Sequence, residues 1–348
     1  MCYFVMFVRN GYYKRAIGRD FLVSLESVKM LQRIKAIPMN KEVRIAVLLS
    51  SYNGEKYIRE QIDSILNLDV LNDKKYHLKL YVRDDGSTDS TLTILKEYKR
   101  KGKIEILPSD SNLGPAKSFL SLLSAIEADF YAFSDQDDVW HKNKISRALT
   151  KLENINGPAI YYANAELVDK ELHSFNRQVY SEIQTPCIES IMCCCNVLGC
   201  TMVFNNNLKR IFEKQSFIEL NIGMHDYYLC MLCMACGGNI IYDSEPVMLY
   251  RQHDNNVVGY NVTRTIGNRI ASIFKRSSIS IAEDAKNLLL YENDMTDEGK
   301  ELLRIIENLE NSVICRGKLI LRLFAMLLRK HCTKHEVLAL LKVIVGTA

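Results

Sequence analysis

Residues 43–50, VRIAVLLS, hold a continuous apolar run from Ile45 to Leu49, with β-branched Val43, Ile45 and Val47, and no alternation. Such a run predicts a strand buried on both faces, as in a parallel sheet. A turn, SYNGEKY, follows, and then YIREQIDSILNL, whose apolar positions recur at helical spacing. The alternation continues. HLKLYVRDD predicts a second strand, and TLTILKEYKRK a helix capped by Ser87 or Asp89. KIEILP predicts a third strand, and AKSFLSLLSAIE a helix opened by Gly114 and Pro115. DFYAFSD predicts a fourth strand. The βαβαβαβ order implies an α/β fold with a doubly wound, mostly parallel sheet. Farther on, PAIYYANAELVD and CNVLGCTMVFN predict strands. GMHDYYLCMLCMACGG predicts a helix ended by Gly237 and Gly238, and NIIYDSEPVMLYRQH predicts extended chain.

After residue 260 the pattern turns helical and basic. LENSVICRGKLILRLFAMLLRKH and KHEVLALLKVIVG carry wide apolar faces, and Lys318, Arg322, Arg329 and Lys330 border the first. Two readings stay open: a helical cap packed on the body, or a basic amphipathic surface held against anionic lipid. At the other end, residues 1–38 match nothing downstream. Met39 stands directly before a charged lead-in and the first strand. Residues 1–38 are therefore expected to be an extension from a misassigned start, or a basic arm. The expected organisation is an extension over 1–38, an α/β domain over 39–260 and a helical region over 261–348.

Composition narrows the classes. The 348 residues are 48% hydrophobic, enough for one large core, or for one core plus a helical appendage. A net charge of +4 is only mildly basic and does not imply a nucleic-acid partner. The eleven cysteines are not preceded by a signal peptide, so free thiols in a reducing cytoplasm are expected. Cys230, Cys233 and Cys236 have iron–sulfur spacing, but the usual fourth cysteine and its proline are missing. The same spacing stacks three small apolar side chains along one helix. No apolar run is long enough to span a bilayer.

The candidate chemistry gathers at the strand ends, where open α/β sheets bind ligands. The first strand ends in Ser51-Tyr52-Asn53-Gly54 and the second in Asp84-Asp85-Gly86-Ser87-Thr88-Asp89. The fourth ends in Asp135-Gln136-Asp137-Asp138. Carboxylates so concentrated repel one another unless they are protonated or share a cation. Oxygen ligands at D-x-D spacing suit Mg²⁺ or Mn²⁺ bridged to substrate phosphates. Plainer roles compete: Asp89 as a helix cap, Gly86 as a turn residue, and Asp138 as the cap of a helix starting near Trp140. An EF-hand lacks its glycine and distant glutamate, and a dinucleotide site lacks G-x-G-x-x-G. A D-x-D-G-T phosphatase lacks its spaced aspartate pair.

The blocks AVLLSSYNGEKYIREQIDSIL, VRDDGSTDSTLTIL, NLGPAKSFLSLL and FYAFSDQDDVWHKNKI resemble those of family 2 glycosyltransferases with the GT-A fold. The form DQDDVW, with GCTMVFN, MHDYYL and YRQHDNNVVG downstream, is most similar to the rhamnosyltransferase-like branch, which acts in cell-wall and surface polysaccharide assembly. The likeness covers about residues 42–260. It implies that Ser51, Tyr52 and Asn53 contact the nucleotide. It implies that Asp84 or Asp85, with Asp85 favoured, receives the base or ribose. Asp135 then contacts ribose or sugar, and Asp137 holds Mn²⁺ or Mg²⁺, with His253 a metal or diphosphate contact. Asp226 stands where the family has its catalytic base, and His225 replaces the usual Glu beside it. Trp140 is a candidate to stack on the acceptor sugar or to pack under the helix, and His225 lies on the acceptor side. The Q-x-x-R-W motif of processive members is absent, which implies single sugar addition. The implied donor is a dTDP- or UDP-sugar, with L-rhamnose a candidate. The implied acceptor is a glycan or a lipid-linked glycan, at the inner face of the cell membrane. Two other functions remain open: a sugar-phosphate nucleotidyltransferase, and a non-catalytic nucleotide-sugar-binding protein.

Overall fold

The computed structural model describes residues 6–9, 12–15, 42–253, 281–329 and 333–345. The chain forms two compact units, Met1–Glu42 and Val43–Ala348. In the first, β1 (Met6–Arg9) and β2 (Tyr12–Arg15) pair as an antiparallel hairpin. The remainder of the expected 1–38 extension lies outside the described residues, as does Lys330.

The second unit is built on a nine-stranded sheet. Its parallel half is β3 (Val43–Ser51), β4 (Tyr76–Asp84), β5 (Glu105–Ile106) and β6 (Phe130–Ser134), lying in the order β5-β4-β3-β6. The chain winds outward from β3 to β5 and then crosses back to β6. The carboxyl ends of β3 and β6 therefore flank the point where winding reverses, the usual place for a ligand crevice. Val47, Leu48 and Leu49 of β3 are fully buried, as the unbroken apolar run requires. Helices α1 (Ile58–Ile65), α2 (Thr91–Arg100) and α3 (Gly114–Ala125) are the crossovers.

Beyond β6 the sheet is mixed. β10 (Val203–Asn205) lies antiparallel between β6 and β8 (Ala159–Val168), and β11 (Asn239–Arg251) runs parallel to β8. β9 (Ser174–Gln178) edges β8. CNVLGCTMVFN, expected to be one strand, instead leaves α5 (Ile188–Cys194), passes a single 3₁₀ turn at Gly199–Thr201 and contributes only three residues to the sheet. The helix expected near Trp140 starts later. Val139–Trp140 form β7, paired antiparallel with Met248 and Leu249, and α4 begins at Lys144 (Lys144–Leu152). Asp138 is thus no helix cap. It is buried and accepts the Arg251 backbone N–H at 3.2 Å.

Two further helices of the body are α6 (Asn206–Phe212) and α7 (His225–Ala235), the latter ended by Gly237 at φ +70°. Cys230 and Cys233 are fully buried in α7 and serve as small packing side chains. Eight of the described cysteines are free thiols. Helices α8 (Ile281–Leu288), α9 (Asp297–Glu307), α10 (Val313–Arg329) and α11 (Lys334–Val345) belong to the same compact unit as the sheet.

One buried acid records how the helical region is seated. Asp284 of α8 is 3% exposed, and burial raises its pKa from 3.8 to about 6 against a backbone hydrogen bond from Gly223. A carboxyl whose folded pKa lies above its unfolded value is penalised once both states ionise. Stability therefore falls as pH rises from about 4 to about 6. Asp284→Asn is expected to stabilise the fold by about 1–3 kcal/mol at pH 7 and by nothing near pH 4. Thermal unfolding across that range checks it, and a gain of equal size at both pH values would contradict it.

Candidate active site

Loops at the ends of β3, β4 and β6 are stitched together by side chains. Asn53 adopts φ +50°, a left-handed conformation that asparagine tolerates. Its Oδ1 accepts the Thr88 N–H at 2.8 Å, and its own N–H donates to Ser87 Oγ at 2.9 Å. Gln136 bridges the other way: its amide donates to the Tyr52 carbonyl and accepts the Tyr52 N–H, both at 2.9 Å. A Cβ on Gly54 would fall 2.1 Å from Gln136 Oε1, so only glycine leaves room for this latch. Gln136 lies inside Asp135-Gln136-Asp137-Asp138, where nothing local marks it as the clasp between two loops 84 residues apart.

The two aspartates after β4 separate in role. Asp84 is turned under the loop, where Ser51 Oγ donates to it at 3.0 Å and the Ser87 hydroxyl and N–H also donate. Ser51 and Asp84 therefore support the loop from below, while Tyr52, Asn53 and Asp85 line the cleft. Asp85 is 3% exposed, paired with the Arg83 guanidinium, and accepts the N–H groups of Leu113 and Gly114 at 2.8 and 2.9 Å. Removing one partner of such a buried pair costs about 3–5 kcal/mol. Asp85 is thus a structural anchor for the 111–114 loop as well as a cleft wall.

The cleft encloses about 1380 Å³. Asp135, Gln136 and Asp137 enter it from β6, His253 from the end of β11, and His225 and Asp226 from the first turn of α7. Asp137 Oδ2 and His253 Nε2 lie 2.8 Å apart, and the His253 ring stacks on Tyr57 at 5.0 Å. Asp226 is held at both oxygens. Oδ2 accepts the Gly199 N–H at 3.1 Å and Oδ1 its neighbour Tyr227 N–H at 2.8 Å. Each oxygen keeps a further lone pair for a ligand. Burial, then the charges of Asp137 and Asp226, raise Asp135 to about 7. Three acids thus sense one another across the cleft, an arrangement that favours a proton or a cation between them.

Beneath this floor lies a second polar layer. Lys144 is fully buried, 3.4 Å above the Trp140 ring, and donates to the Cys200 carbonyl. Burial lowers its pKa to about 7, opposed by Cys200, Asp138 and Asp135. Burial also raises Asp138 and the Cys200 thiol. Asp135, Asp138 and Cys200 have ligand atoms within 4.8 Å of one another. A thiol kept protonated by burial is a poor partner for the hard cations that carboxylates suit. The outer pair, Asp137 and His253, is the better-matched donor set.

Trp140, a candidate either to stack on the acceptor sugar or to pack under the helix, is 4% exposed and packs in the core against Lys144. Its pairing with Met248, more than a hundred residues away, puts it there. His225 is 5% exposed and packs face-on against Phe119 at 4.2 Å and edge-on against Phe133 at 4.7 Å. It forms cleft wall, with burial lowering its pKa and keeping the ring neutral. The residue that sequence reasoning passed over is Arg251. It is 2% exposed, lies 4.4 Å over the Tyr57 ring, donates to the Asp137 carbonyl at 2.7 Å, and pairs with Glu60. The basic residue within YRQH, two places before His253, was its only sequence signal.

Residues 46–212 match Glycosyl transferase family 2. The chain is 33% identical over 235 residues to the dTDP-rhamnosyl transferase RfbG of Shigella flexneri, covering 62% of this chain and 75% of that protein. It is 26% identical over 145 residues to the putative teichuronic acid biosynthesis glycosyltransferase TuaG of Bacillus subtilis, covering 40% of this chain and 56% of that one. Among solved structures, Staphylococcus aureus TarS 1–349 in complex with UDP-GlcNAc aligns with a TM-score of 0.49 at 18% identity, over 80% of each chain. The family match, the RfbG relative and the acid-lined cleft at the carboxyl ends of a doubly wound sheet lead to one conclusion: this chain belongs to glycosyl transferase family 2 and is a glycosyltransferase of the GT-A fold.

Proposed function

We propose that the enzyme is an inverting, metal-dependent transferase that moves one sugar from a nucleotide-diphosphate donor to a hydroxyl of a cell-wall or surface glycan, free or lipid-linked. The observation that carries this reading is the placement of Asp226. Its carboxylate, held by two backbone N–H groups, faces the cleft shared by Asp135, Asp137 and His253. An acceptor hydroxyl is a weak nucleophile and needs a base within hydrogen-bond reach. Asp226 takes that proton as the hydroxyl attacks the anomeric carbon from the side opposite the leaving diphosphate. One displacement completes the reaction, with inversion and no covalent enzyme intermediate.

Mn²⁺ or Mg²⁺ held by Asp137 and His253 would neutralise charge developing on the diphosphate. The donor chemistry fits, because a carboxylate oxygen and an imidazole nitrogen already meet there. Tyr52, Asn53 and Asp85 form the nucleotide side of the cleft, and Asp135 the sugar side. A dTDP-rhamnose donor is the first to test, because the RfbG relative is named a dTDP-rhamnosyl transferase. A thermal-shift screen of sugar nucleotides with Mn²⁺ tests the reading, since a bound donor raises the midpoint by mass action. No stabilisation by any nucleotide sugar would contradict it.

Gly199 offers a sharper test of the base. A Cβ there would fall 2.8 Å from Asp226 Oδ2 and 3.0 Å from its Cβ, so alanine must push the carboxylate away. Misplacing a catalytic group by about an ångström can cost about 10²-fold in rate. Gly199→Ala is therefore expected to lower kcat by about that factor while donor affinity changes little. Steady-state kinetics with a donor titration checks it, and unchanged kcat would contradict it.

A further inference from the structure

Helix α10 carries apolar side chains on two opposite faces. Leu319, Leu323 and Met326 face inward and are buried. The opposite face is apolar too: Val313 is 86% exposed, Ile314 73%, Leu321 70%, Phe324 54% and Leu328 73%. Ile314, Leu321 and Leu328 recur every seven residues, with Phe324 between, so they form one stripe along a helix about 25 Å long. Single exposed leucines are ordinary, but a continuous stripe is not. The neighbouring α11 repeats the feature with Val337, Leu341 and Ile344 exposed at helical spacing.

Charge identifies the occupant. Among its seventeen residues α10 has no acidic side chain. Lys318 and Arg329 are exposed along one border of the stripe. Arg322 is turned away and paired with Glu298 and Glu301 of α9. The one acid of α11, Glu336, is buried and accepts the Thr333 N–H. Two copies joined through this stripe would bring cations together with no carboxylate on the helix to answer them. An anionic lipid surface answers both the cations and the apolar stripe. No helix among the described residues is long and apolar enough to cross a membrane, so contact is in the plane of the interface.

We propose that α10, flanked by α11, docks the enzyme on the surface of an anionic bilayer, with Leu321, Phe324 and Leu328 entering the lipid and Lys318 and Arg329 at the headgroups. The docking is independent of the chemistry assigned to the cleft. Sedimentation of the full chain with phosphatidylcholine vesicles, with and without phosphatidylglycerol, tests it. Recovery is expected to be at least ~10-fold higher with the anionic lipid. Leu321→Glu/Leu328→Glu is expected to lower that recovery at least ~10-fold with an unchanged thermal midpoint. Lys318→Glu/Arg329→Glu is expected to remove the preference for phosphatidylglycerol without altering the fold, because both side chains are exposed. Equal recovery with both lipids, or unchanged binding by the leucine variant, would overturn the proposal. So would a dimer by analytical ultracentrifugation that the leucine variant dissociates.

Discussion

Asp226→Asn is expected to lower kcat for sugar transfer by about 10²–10⁴-fold while the donor dissociation constant stays within a few-fold of its original value. The range is that of a positioned general base. The geometry explains why the two quantities separate. Asp226 sits at the start of α7, and its oxygens are oriented by the Gly199 and Tyr227 N–H groups, not by residues of the β3 and β4 loops. Asparagine keeps the shape but cannot accept a proton. Its NH₂ must also face one of the two N–H donors, which costs about 1 kcal/mol of stability. That cost is small against the catalytic loss, and a thermal melt separates them. Isothermal titration of donor and kinetics with acceptor give the two numbers. Equal losses in donor affinity and kcat/KM would instead assign Asp226 to donor binding.

The second large effect concerns the cation. Exhaustive chelation is expected to lower activity by at least about 10²-fold, with Mn²⁺ or Mg²⁺ restoring it, and Asp137→Ala is expected to reproduce the loss without restoration. The charge gathered in the cleft is the reason for this expectation. Burial, and then the charges of Asp137 and Asp226, raise Asp135 to about 7, and a nucleotide diphosphate would add further negative charge beside them. Donor binding gives a readout apart from turnover. Calorimetry should show affinity rising on addition of Mn²⁺ in the native chain, and much less in Asp137→Ala. Full activity after chelation, or equal donor affinity with and without metal, would remove the cation from the account.

Much of this was legible in the chain, and the reason is local. β3 follows from a nearly unbroken apolar run and β4 from the alternation in YHLKLYV, and the D-x-D at the end of β6 follows from its place after DFYAFS. The pairing of Asp137 with His253 could be anticipated only through the family resemblance, because 116 residues separate them. What the chain hid was non-local. Trp140 reads equally as a sugar platform or as packing under the helix until β11 arrives to pair with it and bury it beside Lys144. Asp138 reads as a cap until the Arg251 N–H claims it from the end of β11. Lys144 occupies a helix start that nothing in HKNKISRAL marks as buried. In the cysteine-rich 188–195 stretch Ile188, Ile191, Met192 and Cys195 fall at helical spacing, and α5 forms there, packed on α7.

The central claim is a single displacement aided by Asp226. The anomeric configuration of the product measures it most directly. Once the screen has supplied a donor, proton NMR of the first-formed product is expected to show the configuration opposite to that of the donor. Retention of the donor's configuration would contradict the account, because it requires a second displacement or a front-side path that the base at Asp226 does not serve.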